Sequence, residues 1–176
     1  MTDPVRLPDA RPYLSALPPG SLVIERSYGE ADRAGRVTRL VEAAHARGIR
    51  VLVAGDPGLA RAVRADGVHL PQGLARSLPR AATGGLGLVT MAAHSADAIL
   101  AARRLQVDAV FLSPVFPTLS HPGAPALGLH RFARLAAAFP CPVIALGGMT
   151  GRRWRRISPL PGVIGWAGIG FVAADA

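Results

Sequence analysis

Short apolar runs alternate along this chain with longer amphipathic stretches. Seven runs, at 22–25, 49–54, 67–70, 86–91, 109–115, 143–146 and 163–166, are built mostly from Val, Ile, Leu and Ala. Runs of that length and content predict strands. Between them the period changes. Residues 32–47 set Ala34, Val37, Leu40, Val41 and Ala44 at three- and four-residue steps, one helical stripe facing a sheet. Residues 95–106 open on Ser95, a candidate N-cap, and carry Ile99, Leu100 and Ala102. Residues 129–139 carry Phe132, Leu135, Ala136 and Phe139. Strands joined by helices predict a parallel sheet, because a parallel neighbour is reached only through a crossover. Repetition of the β-α unit predicts an α/β fold, a TIM-type (β/α)8 barrel rather than an open sheet, in one domain over 1–176. A complete barrel needs about 200 residues or more. With seven strands visible, strand 1 is expected to be lacking or truncated.

Two strand ends carry the candidate chemistry. Residues 111–118 read Phe-Leu-Ser-Pro-Val-Phe-Pro-Thr, a buried strand running into a Pro-Thr corner. The Pro/Gly-rich stretch 117–128 that follows is expected to be an active-site loop. Residues 143–148, Val-Ile-Ala-Leu-Gly-Gly, repeat the plan with two glycines at the strand end. Barrels of this class build their sites at one rim from such ends. Paired glycines also let backbone N–H groups approach a phosphate.

Composition narrows the picture. Half of the 176 residues are hydrophobic, which excludes global disorder. No window approaches the ~20 uninterrupted apolar residues of a membrane span, and residues 1–10 lack the basic start and apolar run of a secretion signal. Cys141 is alone, so no internal disulfide forms and a cytoplasmic location is expected. Without a surrounding His or Asp pattern, Cys141 reads as a small buried hydrophobe beside a strand rather than a nucleophile. The formal charge is +9, and all 20 basic residues are arginine. Absent lysine excludes a Schiff base. The densest run, Arg152-Arg153-Trp154-Arg155-Arg156, invites a nucleic-acid reading, but it sits where a solvated helix should begin after Gly147-Gly148. Nucleic acid is therefore not an expected partner. A positive field also draws a phosphorylated small molecule.

Taken in order, these strand ends resemble the thiamine phosphate synthase/TenI family. Val23-Ile24-Glu25-Arg26 is similar to that family's second strand, which ends in arginine, and Gly55-Asp56 to its Asn-Asp-Arg corner. Residues 65–72, Ala-Asp-Gly-Val-His-Leu-Pro-Gln, resemble its Ala-Asp-Gly-Val-His-Leu-Gly-Gln stretch. His94-Ser95 resembles the histidine at the end of its fifth strand, 113–118 its sixth strand and Pro-Thr loop, and 144–149 its glycine pair. Even Thr2-Asp3 resembles the Thr-Asp that closes its first strand. The likeness covers about residues 20 to 170 and is specific as a set.

That resemblance implies a barrel whose rim holds thiazole phosphate, with a pyrimidine pyrophosphate as second substrate and Mg²⁺ assisting the leaving pyrophosphate. TenI relatives instead isomerise the thiazole phosphate ring, which needs an acid/base group near it. Gly147 and Gly148 would present amides to the phosphate, and Gly168 and Ile169 a second set. The alternative for 147–148 is a tight turn. Thr118 and Ser120 match loop hydroxyls, and His121 stands at the loop's lysine position. Arg26 matches the arginine that closes the second strand. His94 reads either as a substrate contact and catalytic group or as a satisfied buried imidazole. Asp56 matches one Mg²⁺-binding aspartate, and it also suits the N-cap of a helix starting near Pro57. His69 reads as structural, and His45 and His130 as exposed on helices.

The chain departs from both branches. Leu74 stands where the synthase has its second aspartate, Ala92 where it has a serine, and Pro114 where the tautomerase has a histidine. The expectation is a synthase-like protein, with a TenI-like tautomerase or a non-catalytic phosphate-binding barrel as alternatives. Unpaired edges left by a missing strand would favour a homo-oligomer.

Overall fold

The computed structural model describes residues 1–118, 123 and 125–168. Seven strands alternate with six α-helices: β1 (Leu22–Glu25), α1 (Arg33–His45), β2 (Arg50–Ala54), α2 (Pro57–Ala62), β3 (Gly67–Leu70), α3 (Gln72–Ser77), β4 (Leu88–Ala93), α4 (Ala98–Leu105), β5 (Ala109–Leu112), α5 (Gly128–Ala138), β6 (Val143–Leu146), α6 (Gly151–Ile157) and β7 (Val163–Ala167). Short 3₁₀ turns precede β1, at Arg11–Ala16, and β4, at Arg80–Thr83. The chain divides into two compact units. Of the described residues, unit 1 comprises 1–69 and 82–89. Unit 2 comprises 70–81 and 90–168.

In unit 1, β1 pairs parallel with β2 from Leu22↔Arg50 to Glu25↔Val53, and β2 with β3 from Leu52↔Gly67 to Ala54↔His69. Val51, Leu52, Val53 and Ala54 are all fully buried. A strand covered on both faces reads as a continuous apolar run, and this one does. Each such Val or Leu contributes roughly 1.5–3 kcal/mol by leaving water. Gly67 is a close approach: a Cβ there would collide with the Leu88 backbone. Thr2 lies along β1, donating its N–H to Ile24 O at 2.9 Å. Helix α1 starts where Asp32 accepts the Gly35 N–H at 3.2 Å and buries Val37, Leu40, Val41 and Ala44. Ala34, expected on that stripe, is exposed in the first turn of the helix.

In unit 2, β4 pairs parallel with β5, β5 with β6 and β6 with β7, so strand order follows chain order here as in unit 1. Sequence periodicity placed most of these elements within two residues, with three corrections. The strand expected at 86–91 runs two residues later. The strand expected to reach 115 stops at Leu112, because Pro114 has no N–H for a ladder. Pairing resumes beyond it, where Val115 and Phe116 donate to Leu146 O (2.9 Å) and Gly147 O (3.1 Å). Finally, Ser95 is not the cap of α4. That helix begins at Ala98 and buries Ala98, Ala101, Ala102 and Leu105, and this phase turns Leu100 outward to 73% exposure.

Candidate functional site

The C-terminal ends of β4, β5 and β6 in unit 2 bring together the most chemistry. His94 follows β4 and is exposed, so it is not a buried core imidazole. Its Nδ1 lies 3.1 Å from Ser113 O and 3.2 Å from Ser113 Oγ. A carbonyl only accepts, so the Ser113 O contact favours the neutral tautomer with the proton on Nδ1 and the lone pair on Nε2, while the hydroxyl contact suits either tautomer. The backbone of His94 is held from α3: its N–H donates to Gln72 Oε1 at 2.7 Å, and Gln72 Nε2 lies 3.5 Å from Ser95 Oγ. Gln72 and Ser113 were visible in the sequence as members of motifs, but their part in orienting this histidine follows only from the fold.

Beyond β6 the chain turns through two left-handed residues, Gly147 (φ +96°) and Gly148 (φ +62°). A Cβ at 147 would stand 2.8 Å from Pro114 Cα, and one at 148 would stand 2.5 Å from Pro117 O. The turn is therefore a glycine turn packed against the 114–117 segment. The register Leu146↔Ala167 brings Gly147 and Gly168 onto the same end of neighbouring strands, each one residue past the pair. Adjacent strands lie about 4.8 Å apart. The turn then enters α6, whose N-cap Thr150 accepts the Arg153 N–H at 3.2 Å. The Arg153 side chain folds back over the turn. It donates through Nη1 to Gly148 O and sets its guanidinium carbon 4.8 Å from the Phe116 ring centroid. Arg153 was legible only as one member of a basic run. Thr118 is half-buried in this loop. Ser120, His121 and Ile169, expected at the site, lie outside the described residues.

Strand ends in unit 1 hold a different set. Glu25 is buried at 2% exposure; Oε1 accepts the Ser27 N–H at 2.5 Å, and Oε2 pairs with Arg33 at 3.2 Å. Arg33 also donates to Ala54 O at 2.8 Å and stacks on Tyr28, with 5.3 Å to the centroid. Arg26 donates Nε–H to Thr2 O at 2.8 Å, pairs with Asp3 at 3.3 Å, and sends its backbone N–H to Thr2 Oγ1 at 2.7 Å. Hydrogen bonds from Arg6 hold the Asp3 carboxyl far below its usual range. Ser27 Oγ is buried with no partner among the described residues.

Asp56 caps α2, its Oδ1 accepting the Leu59 N–H at 2.9 Å ahead of Pro57. Among the described residues no three His, Cys, Asp or Glu side chains group to hold a metal ion. The described side chains alone therefore do not supply a Mg²⁺ donor set. His69 is buried within β3, as a structural residue would be. His45 is exposed and its Nε2 lies 2.8 Å from Asp66 Oδ2; His130 is exposed on α5. Cys141 is half-buried, and burial, with Asp108 adding to it, pushes its thiol up to about 11. A thiol so protonated near neutrality is a poor nucleophile. No helix among the described residues is long and apolar enough to cross a membrane.

Comparison with known proteins agrees with this layout. A family model described as thiamine monophosphate synthase matches residues 16–173. A protein of Aquifex aeolicus named putative thiamine-phosphate synthase 2 is 37% identical over 116 residues, covering 63% of this chain and 59% of that protein. The thiamine-phosphate synthase of Mycobacterium ulcerans is 42% identical over 101 residues, covering 54% of this chain and 44% of its own. The chain thus spans about half the length of these curated relatives. Among solved structures, thiamine phosphate pyrophosphorylase from Pyrococcus furiosus superposes with a TM-score of 0.77 at 23% identity, over 96% of this chain and 82% of that one. That likeness shows a shared fold.

Proposed function

The chain belongs to the thiamine monophosphate synthase family, and from that premise we propose that it binds thiazole phosphate at the strand ends of unit 2 and acts as a thiamine phosphate synthase. In this reading the thiazole ring nitrogen forms a bond to the methylene of hydroxymethylpyrimidine pyrophosphate. The C–O bond to the pyrophosphate breaks, and pyrophosphate leaves with its electron pair. The fold in the same reading is a (β/α)8-type barrel, supported by seven parallel strands with helical crossovers. The observation that carries the proposal is the glycine turn 147–148 beside Gly168, on the one unit with a strong positive charge.

The residues have distinct tasks. Gly147, Gly148 and Gly168 let backbone come close to the thiazole phosphate. His94, in the tautomer that the Ser113 carbonyl favours, offers Nε2 to a donor on the substrate and can take a proton there. Mg²⁺ would accompany bound pyrophosphate and supply charge neutralisation. Nothing else in the scheme depends on it.

A second reading, a phosphate-binding barrel without turnover, is favoured by three positions. Asp56 is occupied as a cap, Leu74 is not a carboxylate, and Pro114 is not a histidine. Incubation with both synthase substrates and Mg²⁺ separates the two: thiamine phosphate and pyrophosphate formed together establish the synthase. Stabilisation by thiazole phosphate without product leaves the binding barrel. A melting temperature unmoved by thiazole phosphate, pyrophosphate and Mg²⁺ together rejects both.

A further inference from the structure

Charge is divided unequally between the units. Among the described residues unit 1 holds ten arginines against eight carboxylates, a formal +2, while unit 2 holds ten arginines against two, Asp97 and Asp108, a formal +8. The strand-end segments of unit 2, at 93–95, 113–118 and 146–150, contain no carboxylate. Among the described residues, Arg153 stands over the glycine turn. Among the described residues it pairs with no carboxylate. Its contacts are neutral ones, the Gly148 carbonyl and the face of Phe116.

We infer that Arg153 is a phosphate-binding cation of this site. The inference rests on the reading of the 147–148 turn as a phosphate site and adds to it the residue that recognises the dianion. Three observations converge. The guanidinium is already over the turn: Nη1 lies 3.1 Å from where a Gly148 side chain would begin. Its stem and plane are held by Phe116 and by the helix turn that Thr150 caps, so little side-chain freedom is left to lose on binding. A guanidinium also has five N–H donors, and the Gly148 carbonyl takes one of them. Donors remain to bind phosphate oxygens in the paired geometry that arginine favours. The ligand class is a phosphate monoester. The neighbouring Arg152, Arg155 and Arg156 are exposed on α6 and contribute only to the surrounding field.

The test compares thiazole phosphate, inorganic phosphate and the unphosphorylated thiazole alcohol by calorimetry. Arg153→Gln is expected to weaken both phosphate compounds by about tenfold or more, the range for a lost charge-assisted hydrogen bond, and to leave the alcohol within about twofold. Arg152→Gln, the same charge change on the exposed face, is expected to cost less than about twofold. A folded Arg153→Gln protein that binds thiazole phosphate as the wild type does overturns the assignment of Arg153 and leaves the site reading standing. Wild-type protein with no preference for the phosphate over the alcohol overturns both. A measurement on the unaltered chain covers the case in which the variant does not fold. Saturating thiazole phosphate should protect Arg153 from phenylglyoxal while Arg152 and Arg156 continue to react, and equal labelling of Arg153 with and without ligand also overturns the assignment.

Discussion

The strand ends of unit 1 and those of unit 2 use arginine in opposite ways. In unit 1, Arg26 answers Asp3 and Arg33 answers the buried Glu25. Each guanidinium there also bonds a backbone carbonyl, so the cluster is closed by its own members. In unit 2, Arg153 answers a carbonyl and an aromatic ring, and no acidic side chain stands in the strand-end segments beside it. Compensated charge stabilises a fold but leaves little potential for a ligand. Uncompensated charge over a close-approach turn does the reverse. Arginines near strand ends are thus answered by carboxylates in unit 1, while Arg153 in unit 2 has none among the described residues, as the recognition proposed for it requires.

The sharpest way to break this contrast is to open the closed cluster. Glu25→Ala leaves Arg33 without its carboxylate at a buried strand end, and is expected to lower unfolding free energy by about 3–5 kcal/mol, the usual cost of breaking a buried pair. Denaturant unfolding reads it. A loss under about 1 kcal/mol would mean that the cluster is not what holds β1 to α1. Gly148→Ala comes next. A left-handed residue with Pro117 O against its Cβ should cost about 1–3 kcal/mol and weaken thiazole phosphate binding as well; unchanged melting and affinity would remove the turn from the site.

Asp56 sharpens the comparison at lower energy. Asp56→Ala is expected to cost about 1 kcal/mol as a lost cap, while Asp56→Asn keeps the cap and removes the charge. Stability retained in the asparagine variant, with its response to Mg²⁺ abolished, assigns the metal role; an unaltered Mg²⁺ response in both leaves Asp56 a cap alone. The smallest effect is acid sensitivity. The folded-state pKa of Asp3 is depressed, chiefly by its hydrogen bonds from Arg6. Its stabilising contribution is therefore full above the ordinary carboxylate pKa near 3.8 and falls as pH drops below it. Asp3→Asn should flatten that part of the stability–pH curve. An identical slope in wild type and variant would place the acid response elsewhere.

Much of the fold was legible because hydrophobic periodicity is a local property. The runs at 22–25, 67–70 and 143–146 became β1, β3 and β6 with their expected bounds. The misses were local competitions that periodicity does not register. Pro114 ended a ladder that the apolar pattern would have continued, and the phase of α4 was set by Ala98 rather than Ser95, which exposed Leu100. The candidate positions were partly legible for a similar reason: Gly147-Gly148 and His94 in unit 2, and Asp56 in unit 1, stand at strand ends that the sequence marks by composition.

From the amino-acid order alone came the β-α repeat, the strand-end glycines and the surplus of positive charge, since each follows from neighbours along the chain. Which arginine is neutralised and which stands uncompensated was decided by tertiary structure. Arg26 meets Asp3 across 23 residues and Arg153 meets Phe116 across 37. Electrostatic pairing depends on distance through space, and only the packed strands set those distances.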